Sequence, residues 1–555
     1  MNGQGACILR RDRTVLLECA HPGFAEARRQ LSGYAELLKS PPAYHTYRIT
    51  PLSLWNAAAS GHTAEEICAS LAGLSRWAAP AGLYEEIAEI MSRYGSLELC
   101  TCPGDPALML LRAFGDSLPM PLEENAALTG LGLRRAGPRE WLLPAAGRGL
   151  LKQELTRLGY PVLDRAGYRA GQTLSVAWSG GGFRLRGYQR EAAGAFETGG
   201  GSGVVVLPCG AGKTIVGIAV LERLQCETLI LTSSATSVGQ WREELLRRTR
   251  LPEALIGEYT GEKREVRPVT VATYQMLTRR ACKDGPFLHM SLFNERNWGL
   301  IVYDEVHLLP APVFRATADI QATRRLGLTA TLVREDGRED DVFSLVGPKC
   351  YELPWRQLEQ EGYIAAVECV ELTVPMNERL RSEYAYAGSR EQFRLAAVNP
   401  DKAEAARRIV EVHSASPVLV IGQYLDQLEQ LADALQAPLV TGKTPQRERS
   451  ELYEAFNGGA LRVLVVSKVA NFALNLPDAA VAIEVSGAYG SRQEEAQRLG
   501  RILRPKPGDN KAYFYTLVSE DSREQDFALR RRLFLTEQGY EYAVRTAHSL
   551  MKGDQ

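Results

Sequence analysis

An α/β protein with two tandem parallel-sheet domains, preceded by a mixed α+β N-terminal region, is the fold class the sequence predicts. From Gly203 onward, short β-rich runs alternate with helical patterns: Val204–Val206, Thr228–Thr232, Val269–Ala272, Leu300–Tyr303 and Arg325–Thr329. A second series follows the segment Pro375–Pro400, with Val418–Ile421, Pro438–Val440, Val463–Val466, Val481–Val485 and Ala512–Leu517. Apolar runs spaced by helices are the pattern of parallel strands buried on both faces. The part before Ser179 has a different texture, with helical stretches at Leu52–Gly61 and Ala64–Leu71 and turn-rich β-like pieces between Leu97 and Leu143. Thr63 and Glu66 form a capping box that opens one helix, and Gly61 closes the one before it. Helices between Leu52 and Tyr94 followed by Ser96–Leu99 suggest a winged helix, with a plain packing module as the alternative. The Gly-rich stretches Ser179–Gly182 and Gly199–Gly203 read as a hinge and a turn flanking the first helix of the first parallel domain.

At 555 residues the chain exceeds one hydrophobic core, and one domain per ~150 residues implies three or four. The expected boundaries are 1–100, 101–178, 179–355 and 356–555. Hydrophobic content of 45% with 24% charged residues is that of an ordinary globular protein. No apolar run is long enough to span a bilayer, and Met1-Asn2-Gly3-Gln4-Gly5 lacks the features of a signal peptide. A cytoplasmic protein without membrane contact is therefore expected. Among ten cysteines the close pair is Cys100 and Cys102, and no C-x-x-C recurs to hold zinc or an iron–sulfur cluster. A net charge of −1 does not advertise nucleic-acid binding, but a strand held in a groove needs basic groups only along that groove.

The stretch Leu207-Pro208-Cys209-Gly210-Ala211-Gly212-Lys213-Thr214 follows the apolar run Val204–Val206 and precedes a helical pattern, Ile215–Leu224. Strand, glycine-rich turn and helix N-terminus together grip phosphate: backbone N–H groups point inward, Lys213 reaches the outer phosphates and Thr214 offers a hydroxyl to Mg²⁺. Leu207 stands where the common motif has its first glycine, so the match is to a variant built on Gly210 and Gly212. Further on, the run Leu300–Tyr303 ends in Asp304-Glu305-Val306-His307. Acids at the end of a central strand suit nucleotide hydrolysis, Asp304 holding Mg²⁺ through water and Glu305 orienting or deprotonating the attacking water. A helix N-cap would also place acids there. One helix upstream of the phosphate loop, Gln189 offers a donor and an acceptor suited to an adenine edge, with Arg186 and Tyr188 beside it. Thr329 and Thr331, after a glycine-containing strand, are small hydroxyls that can link hydrolysis to a bound strand.

The second parallel domain has no phosphate loop of its own. It does carry Gln497, Arg501 and Arg504 at helical i, i+4, i+7 spacing, hence on one face. Such a face can supply arginine fingers to a γ-phosphate, the alternative being a solvated basic helix.

With these motifs in order, the chain resembles the XPB family of superfamily-two DNA helicases. The resemblance rests on Leu326–Asp336, whose Arg334, Glu335 and Asp336 match the family's R-E-D element. It rests also on Val346–Lys349, Ser467–Val469, Gly490–Ala496 and Phe534–Tyr540. It is dense from Phe183 onward and looser through Tyr47–Asn56. It implies two RecA-like domains, a winged-helix-like piece and a damage-recognition-like domain before them, and a thumb-like insertion near 377–399. Asn475 departs from the family, whose members usually have aspartate there; an amide can bond a ribose hydroxyl but carries no charge.

The resemblance and the motifs together imply an ATP-dependent 3′-5′ DNA helicase or translocase acting in repair or related DNA transactions. ATP and Mg²⁺ are the expected cofactors. Single-stranded, forked or damaged DNA is the expected partner, with a nuclease or repair protein beside it and a monomeric motor. Thr232, Thr273, Arg334, Ser467 and Lys468 are the expected strand contacts, with Glu335 and Asp336 in the same coupling element. Two rivals stay open: a double-strand translocase that remodels protein–DNA complexes, and a DNA-binding module whose ATPase only switches affinity.

Overall fold

The computed structural model describes residues 5–41, 43–115, 121–180, 182–208, 210–282, 287–321, 323–331, 339–467, 479–487, 502, 510–537, 540 and 542–547. The chain forms two compact units, the first made of Met1–Leu38, Pro42–Leu207 and Gly212–Glu352 and the second of Leu353–Gln555 with the short stretches Lys39–Pro41 and Pro208–Ala211.

The first unit opens with strands β1 (Cys7–Leu9), β2 (Thr14–Glu18), β3 (Glu36–Lys39) and β4 (Tyr44–Arg48), in the sheet order β1-β2-β4-β3. Three helices follow, Pro51–Ala59, Ala64–Leu74 and Leu83–Ser92. The first two are opened by capping boxes, Thr50 with Ser53 and Thr63 with Glu66, so a donor on each side of the turn is satisfied by the other. Strands β5 (Leu97–Thr101), β6 (Leu108–Ala113), β7 (Arg134–Gly137), β8 (Glu140–Pro144) and β9 (Val162–Asp164) make a second sheet, ordered β7-β8-β6-β5-β9. Leu97 and Leu99 sit in its core with Trp141, Leu143, Leu151 and Leu155. Leu97–Leu99, in the segment expected to follow the helices of a winged helix, pair with β6 and β9.

Helix Arg148–Arg157 joins this sheet to the parallel domain that follows. Gly149 lies so close to helix Ala311–Asp319 that a Cβ would stand 2.3 Å from the Ala318 carbonyl oxygen. A buried ionic cluster sits alongside. Arg148 donates to both oxygens of Asp164 at 2.9 and 2.8 Å, and Lys152 Nζ donates to Asp164 at 3.0 Å and to Gln321 Oε1 at 2.6 Å. Gln321 in turn donates to the Leu345 carbonyl, as does Arg325. Each buried charge thus has a partner, the condition under which burial of ions is tolerated.

The parallel domain contains β10 (Ser202–Val206), β11 (Thr228–Thr232), β12 (Ile256–Tyr259), β13 (Val269–Thr273), β14 (Leu300–Asp304), β15 (Arg324–Thr329) and β16 (Lys349–Glu352), ordered β12-β13-β11-β14-β15-β10-β16. Its pairings are parallel. Val204, Val205, Leu229, Ile230 and Leu231 are buried on both sheet faces, which is why these strands read as uninterrupted apolar runs. The supposed hinge at Ser179 is fixed at its start, its N–H and hydroxyl donating to the carbonyls of Arg248 and Arg247.

The second unit repeats the plan with β17 (Ala366–Val374), β18 (Val418–Gly422), β19 (Leu439–Val440), β20 (Val463–Ser467), β21 (Val481–Glu484), β22 (Lys511–Ser519) and β23 (Tyr542–Thr546). Their order is β19-β20-β18-β21-β22-β17-β23, again with parallel pairings. The fold is therefore two RecA-like parallel-sheet domains after an N-terminal α/β region, as the sequence predicts. Helices Glu378–Tyr386 and Ser389–Ala397 occupy the segment expected to be an insertion. Among the described residues no helix is long and apolar enough to cross a membrane.

Candidate active site

The C-terminal ends of β10, β14 and β15 carry the candidate chemistry of the first unit. β10 runs out at Val206, and Leu207 still bonds to the neighbouring strand end through its N–H to the Thr329 carbonyl at 3.0 Å. The chain then turns into helix Lys213–Leu224. Gly210 and Gly212 both have φ of +82°, a left-handed conformation in which a Cβ is costly, and this explains glycine at both positions. Gly212 has a second reason: a Cβ there would lie 2.6 Å from Gln189 Nε2. The amide of Gln189 therefore rests directly on the phosphate loop. Its Oε1 accepts from the Arg186 N–H at 3.1 Å, and Arg186 Nη1 donates to the Tyr188 hydroxyl at 3.1 Å.

At the end of β14 the two acids are differentiated by their surroundings. Asp304 Oδ2 accepts from Trp241 Nε1 at 2.8 Å, and Asp304 Oδ1 accepts from the Glu305 N–H at 3.1 Å. The Tyr274 hydroxyl donates to the Asp304 carbonyl at 2.9 Å. Glu305 adopts φ of +50°, an uncommon conformation for a residue with a side chain, and its carboxylate lies 3.4 Å from Lys213 Nζ. Burial, then the adjacent Glu305 charge, pushes the Asp304 carboxyl above the usual carboxylate range. Burial acts on Glu305 too, but the charges of Lys213 and His307 outweigh it and hold that carboxyl below its usual value. The two neighbouring acids thus shift in opposite directions, with the Glu305 carboxylate held beside the Lys213 ammonium.

His307 links this centre to β15. Its Nδ1 lies 3.5 Å from Glu305 Oε2 and 2.7 Å from Thr329 Oγ1. Thr329 gives its single hydroxyl proton to the Thr331 carbonyl and accepts from the Thr331 N–H, so His307 Nδ1 carries the proton of the shared bond.

The structure brings together Arg186, Gln189, Gly212, Lys213, Asp304, Glu305, Thr329 and Thr331, with Gly210 in the same loop and Thr214 as the second residue of the helix. Thr232 and Thr273, expected as strand contacts, end β11 and β13 with buried side chains engaged in local turns. The Thr232 hydroxyl donates to the Ser234 carbonyl, and the Thr273 hydroxyl caps helix Tyr274–Leu277. Ser467 ends β20 in the second unit, buried, its hydroxyl without a partner among the described residues. Cys209, Arg334, Glu335, Asp336, Lys468, Asn475, Gln497, Arg501 and Arg504 lie outside the described residues. Sequence reading gave no role to Trp241 or His307. The histidine was visible in its pattern with Asp304 and Glu305, whereas the tryptophan reads simply as the apolar anchor of an amphipathic helix.

Family models match three stretches of this architecture. Residues 358–555 match the ERCC3/RAD25/XPB C-terminal helicase, residues 182–334 the res subunit of type III restriction enzymes, and residues 7–137 a helicase conserved C-terminal domain. The DNA 3′-5′ helicase XPB of Kineococcus radiotolerans is 49% identical, covering 99% of this chain and 98% of that protein. The chain belongs to the XPB family. The Mycobacterium tuberculosis DNA 3′-5′ helicase XPB is likewise 49% identical, over 99% of each protein. The Saccharomyces cerevisiae general transcription and DNA repair factor IIH helicase/translocase subunit XPB/SSL2 is 31% identical over 96% of this chain and 71% of its own length. Nucleotide binding and DNA binding come with membership of the XPB family.

Proposed function

We propose that this XPB-family chain is an ATP-dependent DNA helicase that moves 3′ to 5′ in repair or related DNA transactions. The observation that carries the reading is the convergence of Lys213 and Glu305 at 3.4 Å, with Asp304 beside them, at the ends of a parallel sheet. Lys213 and the loop N–H groups bind the outer phosphates, and Gln189, Arg186 and Tyr188 border the base end of the site. The donor set at Asp304 and Thr214 fits Mg²⁺, a hard cation that takes carboxylate and hydroxyl oxygens. When bound, that ion neutralises charge on the phosphates. Glu305 orients the attacking water and takes up its proton. His307 and Thr329 carry a change at Glu305 to the end of β15. From their helical spacing, Gln497, Arg501 and Arg504 are assigned to the γ-phosphate; from the family resemblance, Asn475 is assigned to the ribose and Arg334, Glu335 and Asp336 to coupling with the DNA strand, with Ser467 and Lys468 as candidate strand contacts.

The test is strand displacement on duplexes carrying a 3′ or a 5′ single-stranded tail, with ATP present or absent. Displacement that needs ATP and a 3′ tail supports the reading. ATP-dependent removal of a bound protein without displacement supports the translocase alternative, which the name of the yeast relative also favours. A Glu305→Gln form that still completed the cellular task would support an ATP-switched binding module. A nuclease or repair protein is the partner class proposed for such a motor.

A further inference from the structure

Asp304 is held by a residue from outside the nucleotide-binding loop and its helix. Trp241 sits on helix Ala235–Arg248, which follows β11, and is 1% exposed, among the largest fully buried side chains of the chain. Its indole crosses from one functional element to another. At one end Nε1 donates to Asp304 Oδ2 at 2.8 Å. At the other, the ring packs on Gly217 in helix Lys213–Leu224, so tightly that a Cβ there would stand 2.5 Å from the ring atom Cη2. Leu328 of β15 closes on the same position, its methyl 3.3 Å from it. Any larger residue at 217 would push the indole off Asp304.

The hydrogen bonding of Asp304 is then fully determined on one side. Trp241 occupies one lone pair of Oδ2, and the Glu305 N–H occupies one lone pair of Oδ1. Both donors are fixed, one by packing and one by the backbone, so the carboxylate plane cannot swing. Indole N–H is a donor only, and it carries no charge with which to compete for phosphate.

We propose that Trp241 is a positioning residue for the metal-binding carboxylate: by fixing Oδ2 it aims the remaining lone pairs of Asp304 at the Mg²⁺ that accompanies ATP. This rests on the nucleotide-site reading given above. A group that orients a metal ligand through a hydrogen bond typically contributes 10- to 100-fold to metal affinity.

Trp241→Phe keeps an aromatic ring and removes the donor. Replacement by 3-benzothienylalanine keeps the full bicyclic shape with sulfur in place of N–H, which separates the bond from the packing. Both are made in the full chain, and nucleotide affinity is titrated by calorimetry with and without Mg²⁺ or Mn²⁺, alongside the metal dependence of ATP turnover. The expected result is unchanged affinity for metal-free ATP and a metal concentration for half-effect raised about tenfold or more. At saturating metal the KM for ATP stays and kcat falls. In an Asp304→Asn background the substitution adds no further loss of metal affinity. Wild-type metal dependence in the benzothienyl variant overturns the proposal and leaves Trp241 as core packing. Absence of any metal effect on the wild-type chain would instead sink the nucleotide-site reading beneath it.

Discussion

Lys213 and Glu305 stand 3.4 Å apart, the first at the start of the helix after β10 and the second just past β14. The lysine proposed to reach for phosphate and the carboxylate proposed to handle water share one charge balance, and the pair sets what each substitution should do. Glu305→Gln keeps the size and the left-handed backbone but removes the charge. Single-turnover hydrolysis should fall by about 10²- to 10⁴-fold, the usual worth of a general base. ATP affinity should hold or rise, because Lys213 is released from its carboxylate. Equilibrium nucleotide binding and quenched-flow hydrolysis on the same preparation check both halves.

Gly212→Ala tests the loop without touching a charge. The residue needs φ of +82°, and an added Cβ would collide with Gln189 Nε2 at 2.6 Å. The backbone cost alone is about 1–2 kcal/mol. Nucleotide affinity should fall about 5- to 30-fold, since 1.4 kcal/mol is a factor of ten, while far-UV circular dichroism stays that of the parent chain. Unaltered affinity would mean the loop does not close on nucleotide as described.

The cluster around Asp164 predicts a stability effect far from the nucleotide. Removing its charge by Asp164→Asn leaves Arg148 and Lys152 buried without a counterion, which should cost about 3–5 kcal/mol. The pH dependence follows from its carboxyl. Burial raises it, but the charges of Lys152 and Arg148 prevail and hold it well below its ordinary 3.8. The unfolded chain therefore binds the proton first, so the stabilisation is complete above about pH 4 and is lost as pH falls further. Denaturant unfolding between pH 3 and pH 7 should show this acid loss in the parent chain and a flatter profile in Asp164→Asn.

How far the sequence could be read depended on whether one local pattern dominated. The two parallel sheets were visible because strands such as Val204–Val206 and Leu229–Leu231 are buried on both faces and have no polar interruptions. β17 escaped because Glu368 and Glu371 break its apolar run; Glu371 is buried and answered by Arg532 at 3.3 Å, a long-range pairing no local pattern shows. The N-terminal strands β2 to β4 carry Thr14, Glu18, Glu36, Lys39 and Thr46, too mixed to stand out. In the site, residues tied to a turn or a strand end, Gly212, Lys213, Asp304 and Glu305, were legible. Trp241 was not, because its role depends on where helix Ala235–Arg248 packs.

The most direct measurement is steady-state ATP turnover of the full chain with no DNA, single-stranded DNA, duplex DNA and forked DNA, in parallel with Lys213→Ala. The Lys213 side chain is 10% exposed and offsets the charge of Glu305, so the melting temperature of the variant is measured alongside turnover to establish that it is folded. The account predicts turnover stimulated by DNA in the parent chain and reduced to background in Lys213→Ala on every substrate. DNA-stimulated turnover at the parental rate in a folded Lys213→Ala would contradict it.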